Sequence, residues 1–425
     1  MNKDQLIQVI EDQQQNRLSA AETVTREKYS DIGPLKKHKN IVIITGIRRC
    51  GKSTFLAEVR RKEKHSDYYL NFDDDRLIEF KVPDFQKLYE VFIELYGEQD
   101  TFFFDEIQNI EGWERFVRRL HDSNKKVYIT GSNASMLSRE LGTHLTGRYS
   151  QLELYPFSFR EYLTCHNIDT GISGINTTPR KSVLKRFFMK YIKDGGFPEY
   201  VKTKQADYLK MLYEGILYKD ILARYNLSNE KQIKELVYYV ASNIGKEISF
   251  NSLKTMLGLG SSTTVKEYFS YFENSYLTFL LQKYDVSAKK QVYSNKKVYF
   301  IDTAAAEHLG FRFSSDKGRL LENIVFIELK RTGQDVFFHK NAKECDFIIK
   351  QGNKIHAALQ VCTSLENKET RDRELTGLLE ALNYYSLPTG YILTEDEDEV
   401  INTNGKKVQV TPIWKWLVNN QWLRY

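Results

Sequence analysis

Residues 46–54 read Gly-Ile-Arg-Arg-Cys-Gly-Lys-Ser-Thr: a glycine, four residues, then Gly-Lys-Ser. This is the G-x-x-x-x-G-K-[ST] spacing of a phosphate cradle. Gly46 and Gly51 admit backbone conformations closed to other residues. The N–H groups of Ile47, Arg48, Arg49, Cys50 and Gly51 can then turn inward on a phosphate chain. A helix starting near Thr54 adds the positive end of its dipole. Lys52 is expected to reach β- and γ-phosphates, and the Ser53 hydroxyl to hold Mg²⁺. ATP and Mg²⁺ are therefore the expected ligands. Arg48 and Arg49 are unusual inside such a loop. They either contact phosphate or lie outside it and bind neighbouring acids.

A second group of residues fits the same chemistry. Thr101-Phe-Phe-Phe-Asp105-Glu106 is an apolar run that ends in two acids. A strand buried on both faces is apolar throughout, and ligands gather at the carboxyl ends of parallel strands. Asp105 is expected to complete the Mg²⁺ shell, and Glu106 to polarise an attacking water. The run Lys126 to Thr130 ends in Gly131-Ser132-Asn133, where Asn133 is assigned a hydrogen bond to the γ-phosphate or the water. A plain turn is the competing reading of that tripeptide. Arg148, in Leu145-Thr-Gly-Arg148, stands where an arginine can project toward the γ-phosphate of a neighbouring subunit. The competing reading is a surface arginine paired with a carboxylate.

The elements that must position these groups can be read around them. Ile41–Thr45 is a β-branched run before the glycine loop, and residues 54–62 read as a helix after it. Strands are expected near 41–45, 67–72, 101–105, 126–130 and 149–154, alternating with helices. That alternation implies an α/β fold with a parallel sheet covered on both faces. Residues 1–35 read as a polar helix and a linker at Gly33-Pro34, with Gln13-Gln14-Gln15 as a solvated face. Asp73-Asp74-Asp75 reads as a solvated loop. Residues 156–229 read as helical, with a turn at Asp194-Gly-Gly-Phe-Pro198, and would form a small lid.

Residues 230–288 change character. Ile248 to Leu257 and Thr264 to Asn274 read as two helices flanking a Gly-Ser-Thr turn, and Leu277 to Tyr284 as a strand. This is a winged-helix order, which often sets its second helix in a DNA groove. That helix carries Lys266, Glu267, Tyr268, Ser270 and Tyr271, with one positive charge among them. Lys289-Lys290 and Lys296-Lys297 extend the basic face. DNA or RNA is thus a candidate partner, and a protein contact the alternative. In residues 289–425 a helix over 318–331 carries Glu322. Strands near 335–339, 344–349 and 357–362 follow, then a helix over 370–384 and a strand over 390–394. This is the outline of a metal-dependent nuclease core. Glu322 and Asp346 fit two positions of its motif. The Glu-x-Lys position reads Gln360-Val361-Cys362, which lacks one carboxylate and the cation. Glu344 is the candidate replacement acid, and Lys350, Lys354 and Lys368 the candidate lysines. The expectation is a folded core that does not cut.

The stretches GIRRCGKST, FFFDEIQNI, ITGSN, LTGRY, YPFSFRE, GGFPEY, LLENIVFIEL and ECDFII occur in this order. In that combination the chain resembles the prokaryotic AAA-type P-loop ATPases that carry a C-terminal domain of unknown function with a restriction-endonuclease-like core. The resemblance covers nearly the whole chain. It implies an α/β P-loop NTPase sheet with a helical lid, a winged-helix module and a C-terminal restriction-endonuclease-like α/β domain. It also implies ATP binding and ATPase activity, and says little of the pathway.

The rest of the composition bounds the alternatives. The 425 residues have room for two or three domains, and 41% hydrophobic content lets each bury a core. A net charge of +6 is mild. Cys50, Cys165, Cys345 and Cys362 form no C-x-x-C pair, so neither a zinc site nor a disulfide framework is indicated. No apolar run approaches the roughly 20 residues of a membrane span, and residues 1–5 are followed by no apolar core of a signal peptide. A cytoplasmic protein working as a homo-oligomer is expected. The competing functions are an ATP-driven switch acting on nucleic acid or protein, an ATP-regulated nuclease, and a nucleotide-dependent scaffold with little turnover.

Overall fold

The computed structural model describes residues 1–15, 23–62, 67–132, 145–304, 309 and 317–419. The chain divides into two compact units. One comprises Met1–Tyr155 with Asn274–Tyr276, and the other Pro156–Glu273 with Leu277–Tyr425.

The first unit is built on five parallel strands: β1 (Ile41–Thr45), β2 (Tyr68–Asn71), β3 (Thr101–Asp105), β4 (Lys126–Gly131) and β5 (Tyr149–Glu153), in the order β2-β3-β4-β1-β5. All five residues of β1 are buried, as are Phe102, Phe103 and Phe104 on β3. Central strands covered on both faces need apolar side chains at every position, which is why these runs do not alternate. Helices Lys52–Lys62, Asp84–Tyr96 and Trp113–Asp122 connect the strands. This is the α/β sheet expected from the alternation of runs.

The amino-terminal segment departs from expectation. Helix Lys3–Gln15 buries Leu6, Val9 and Ile10 in the core of the sheet unit. Gln13 is not a solvated face residue. Its Oε1 accepts from Asn71 N at 2.8 Å, and its Nε2 donates to Asn71 O at 3.1 Å. β2 is the outer strand, so this amide satisfies backbone groups that no further strand pairs. The expected linker at Gly33-Pro34 lies inside helix Tyr29–Lys37.

The second unit begins with helices, among them Phe159–Cys165, Thr178–Asp194, Pro198–Thr203 and Tyr208–Gly215. Between the second and third of these, Gly195 has φ +66, and a Cβ there would lie 1.9 Å from Asp302 Oδ1. The Asp302 carboxylate accepts from Gly196 N at 2.6 Å, so the glycines let a buried acid approach the backbone. Helix Glu230–Ala241, β6 (Glu247–Ile248), helices Phe250–Met256 and Ser262–Asn274, then β7 (Thr278–Gln282) and β8 (Lys296–Phe300) follow. The three strands form an antiparallel sheet in the order β6-β8-β7. Short helix Ala288–Tyr293 lies in the β7–β8 connection.

The remaining part is a six-stranded mixed sheet. Its strands are β9 (Asp335–Lys340), β10 (Glu344–Gln351), β11 (Lys354–Val361), β12 (Thr389–Thr394), β13 (Glu399–Thr403) and β14 (Lys406–Pro412), in the order β13-β14-β12-β11-β10-β9. Helix Lys317–Arg331 precedes it, and helix Lys368–Tyr384 makes the crossover between the parallel strands β11 and β12. No helix among the described residues is long and apolar enough to cross a membrane.

Candidate nucleotide site

The glycine loop joins β1 to helix Lys52–Lys62, where the sheet's carboxyl ends collect ligands. Gly46 could not be another residue: an added Cβ would stand 2.1 Å from Leu154 O. The loop packs on the segment after β5, and Leu154 N donates to Thr45 O at 2.7 Å. The buried Cys50 thiol donates to Leu154 O at 3.3 Å, and burial pushes its pKa up. Arg26 donates to Cys50 O at 2.9 Å. Cys50 therefore offers a ligand only its backbone. Arg49 has φ 64 and an exposed side chain, while Arg48 is half-buried.

Lys52 is almost wholly buried and donates to the carbonyls of Gly46 and Ile47, both at 3.2 Å. Its Nζ is 3.9 Å from Glu106 Oε1. Ser53 stands close enough to the Asp105 carboxylate to pull its pKa down. Asp105 is buried, and desolvation followed by the charge of Glu106 pushes its carboxyl up to about 6. Lys52, Ser53, Asp105 and Glu106 thus come from two chain segments to one place. Oxygen donors from Ser53 and Asp105 are the hard ligands a Mg²⁺ ion prefers.

Two further residues, Thr130 and Gln108, complete this cluster. The Thr130 hydroxyl donates to Asp105 Oδ1 and accepts from Glu106 N, the latter at 2.9 Å. Gln108 Nε2 donates to Glu106 Oε2, and among the described residues the Oε1 of this buried amide has no hydrogen-bond donor. Glu106 itself has φ 49, a left-handed conformation for a non-glycine residue. Thr130 sits at the end of β4, where the sequence suggested a polar contact, but three residues before Asn133. Asn133 lies outside the described residues.

Arg148 is not part of this cluster. It precedes β5, whose Tyr149 is level with Ile41 at the start of β1, whereas the glycine loop follows Thr45. Four residues of strand separate these levels, on the order of 13 Å. Its Nε donates to Asp122 Oδ1 at 3.3 Å on the surface. Within its own chain Arg148 has the carboxylate partner of the competing reading.

The second unit holds a different polar pocket of about 720 Å³, lined among others by Glu322, Glu344, Asp346, Gln360, Arg373 and Glu374. The expected acids Glu322, Glu344 and Asp346 do meet. The cation among them is Lys297 of β8, whose Nζ lies 3.0 Å from Glu322, 2.8 Å from Glu344 and 3.0 Å from Asp346. Gln360 accepts from Asp346 N at 3.1 Å and donates to Glu374. Glu374 is also paired with Arg373 at 2.6 Å. Burial pushes the Glu322 carboxyl up to about 7, against the opposing pull of Lys297.

These positions correct three expectations. Lys350 reaches toward Asp335 at 3.8 Å, and Lys354 and Lys368 are exposed, so none of these lysines is the pocket's cation. Glu344 is not the sole extra acid, since Glu374 is also present. Lys297, Lys296 and Tyr268 offer nothing to a phosphate backbone. Lys296 is buried on the carbonyls of Gln291 and Val292, and Tyr268 is buried with its hydroxyl accepting from Asn229 at 3.0 Å.

A family model described as an AAA domain matches residues 38–163, and one described as a domain of unknown function, DUF8612, matches residues 185–316. The uncharacterized protein MJ1544 of Methanocaldococcus jannaschii is 33% identical over 396 residues, covering 88% of either chain. An uncharacterized protein of Haemophilus influenzae is 31% identical over 349 residues, 78% of this chain and 85% of its own. Among solved structures, the Thermotoga maritima RuvB Holliday junction branch migration motor aligns with 14% identity and a TM-score of 0.25, over 59% of this chain and 85% of that one. Drosophila ORC bound to AT-rich DNA and Cdc6 aligns with 10% identity and a TM-score of 0.23, over 66% and 90%. The glycine loop and the acidic strand end fall inside the AAA match, and the chain belongs to the family of AAA-domain P-loop proteins that includes MJ1544 and its Haemophilus influenzae relative.

Proposed function

We propose that the first unit binds ATP with Mg²⁺ and hydrolyses it, and that turnover drives a conformational change in the second unit that acts on nucleic acid or a protein partner. The observation that carries this reading is the convergence of Lys52, Ser53, Asp105 and Glu106 at one end of the parallel sheet. Lys52 exchanges its two loop carbonyls for β- and γ-phosphate oxygens. Ser53 and Asp105 supply oxygens for Mg²⁺, which neutralises phosphate charge when bound. Glu106, held by Gln108 and by Thr130 through its N–H, orients the attacking water and accepts its proton. Asn133 is assigned a contact to the γ-phosphate or water. Arg148 is assigned to the site of a neighbouring copy, which makes a homo-oligomer the active form.

In the second unit, the order helix, β6, helix, helix, β7 supports the winged-helix reading of residues 230–288, with β8 pairing with β7 beyond it. The β7–β8 connection exposes Lys289, Lys290 and Tyr293, and helix Ser262–Asn274 exposes Lys266. Cations beside an aromatic ring suit a nucleic-acid backbone and base, so DNA or RNA is the partner these side chains favour. Binding would be salt-sensitive and largely sequence-independent.

The test is ATP turnover measured alone and with single-stranded DNA, duplex DNA and RNA. Turnover lost in Lys52→Ala and stimulated by one polymer is the expected result. Turnover unaffected by Lys52→Ala would remove the ATPase reading. Turnover intact but unmoved by every polymer would remove the nucleic-acid partner alone.

A further inference from the structure

The pocket of the second unit contains a cation that is covalently part of the chain. We propose that the Lys297 ammonium takes the place of a divalent metal ion among Glu322, Glu344 and Asp346. The native pocket then takes up neither Mg²⁺ nor Mn²⁺, and it becomes a divalent-cation site once Lys297 is neutralised.

The geometry of the ammonium carries this. An ammonium has three N–H donors; Lys297 donates to Glu322 Oε1 and to Asp346 Oδ1, each at 3.0 Å, and is ion-paired with Glu344 at 2.8 Å. The acids come from helix Lys317–Arg331 and from alternate positions on one face of β10, so they converge from two elements as metal ligands do. Each acid has a further partner. Asp346 Oδ2 accepts from Val361 N at 3.0 Å. Glu322 Oε1 accepts from Tyr299 Oη at 2.6 Å. Lys340 lies 3.2 Å from the second oxygen of Glu344. A Mg²⁺ ion needs near-octahedral oxygen ligands at about 2.0–2.1 Å. It would have to share these oxygens with a positive charge close to contact distance.

Access is not the obstacle. The pocket is roomy, and Glu344 is about one-third exposed. The obstacle is the lysine, and the lysine cannot swing aside. It lies within β8, paired with Glu247 of β6 on one side and Leu281 of β7 on the other. Its side chain is 3% exposed. Three residues on, Phe300 is clamped to helix Lys317–Arg331: its N–H donates to Asn323 Oδ1 at 2.8 Å, and its carbonyl accepts from Asn323 Nδ2 at 3.0 Å. Its neighbour Lys296 is committed elsewhere, to the carbonyls of Gln291 and Val292. One lysine is thus placed among the acids, and the strand that carries it is fixed to the helix that carries Glu322.

This inference stands apart from the ATPase reading and is tested on nucleotide-free full-length protein. Mn²⁺ is titrated in, free ion is followed by its electron paramagnetic resonance signal, and thermal unfolding is recorded in parallel. Wild type and Asp346→Asn are expected to give the same Mn²⁺ isotherm. Lys297→Met should gain one equivalent of Mn²⁺, bound at least tenfold more tightly than by wild type. That gain should be lost in the Lys297→Met, Asp346→Asn double variant. Mn²⁺ should raise the Tm of Lys297→Met but not of wild type, because a ligand stabilises only the state that binds it. Mn²⁺ binding by wild type that Asp346→Asn abolishes would overturn the proposal. So would a Lys297→Met protein with native circular dichroism that binds no more Mn²⁺ than wild type. Should Lys297→Met fail to fold even with Mn²⁺, Lys297→Gln serves the same comparison with the same two outcomes.

Discussion

Gln108 donates its side-chain N–H to the carboxylate of Glu106, two residues earlier in the chain. The backbone of Glu106 is left-handed, at φ 49. Such a conformation costs a non-glycine residue on the order of 1–3 kcal/mol and persists where the surroundings over-determine it. Here the surroundings are Gln108 on the side chain and Thr130 on the N–H. The carboxylate is aimed from both ends rather than left to choose a rotamer.

Gln108 should therefore matter for turnover and not for ATP binding. A hydrogen bond to a charged group contributes roughly 1.5–3 kcal/mol, so Gln108→Ala is expected to lower kcat about 10- to 100-fold. KM for ATP should stay within about twofold. Glu106→Gln should likewise keep binding and lose turnover. Steady-state kinetics checks both, and a native kcat in Gln108→Ala would show that the contact does not position the base.

Arg148 faces Asp122 in its own chain, at the opposite end of β1 from the glycine loop. If it serves a neighbour, specific activity rises with protein concentration, and Arg148→Ala is inactive by roughly 10³–10⁵-fold. Mixing Arg148→Ala with Lys52→Ala should restore turnover, since one variant supplies the arginine and the other an intact loop. A monomer whose rate is independent of concentration would leave only the surface ion pair.

Asp105 gives the first unit a pH signature. Its carboxyl rises from 3.8 in the unfolded chain to about 6 in the fold. Between those values the native state holds more proton than the unfolded state. Its contribution to stability is therefore full below about pH 4 and is lost as pH rises through 6. At 1.36 kcal/mol per pKa unit the loss is on the order of 3 kcal/mol. Asp105→Asn cannot ionise. Without nucleotide or Mg²⁺, its stability relative to wild type should improve by about that amount between pH 4 and pH 8. Denaturant unfolding at both pH values checks this, and a difference that does not change with pH would contradict it.

The nucleotide site was largely legible because its signals are local. A fixed loop spacing, apolar runs buried on both faces and acids at a strand end each declare themselves within ten residues. The misses are long-range. Lys297 lies 49 residues before Asp346, and within Lys296-Lys297 nothing distinguishes a buried lysine from a solvated one. Glu374 sits in the charged run Arg371-Asp-Arg-Glu374, which reads as a solvated helix face until the helix is seen against β11. Gln13 looks like part of a polar run, and only the position of β2 at the sheet edge gives its amide a partner. Asn404-Gly405 is a different case. Both residues have positive φ, 50 and 71, as a tight hairpin turn between β13 and β14 requires. That signal was local, and the hairpin was nonetheless not read from the sequence.

The pocket of the second unit is expected not to cleave nucleic acid. Hydrolysis at a nuclease-like core needs two strand acids free to hold Mg²⁺ and a lysine free to orient water at the scissile phosphate. Here Asp346 spends one oxygen on Lys297 and the other on Val361 N. The second acid position is Gln360, a neutral and poor Mg²⁺ ligand. The nearby Glu374 is bound to Arg373 and Gln360. Cys362, in the lysine position, carries a buried thiol whose pKa is pushed well up, so it supplies neither a cation nor a hard ligand. Lys297 is buried and ion-paired with three carboxylates, and Lys340 nearby is paired with Glu247 and Glu344, so neither lysine is left to orient a water. Supercoiled plasmid, linear duplex, single strands and RNA should all survive incubation with the protein, in Mg²⁺ and separately in Mn²⁺. Cleavage that disappears in Asp346→Ala would mean that the acids release Lys297 when substrate arrives, and would restore the nuclease reading.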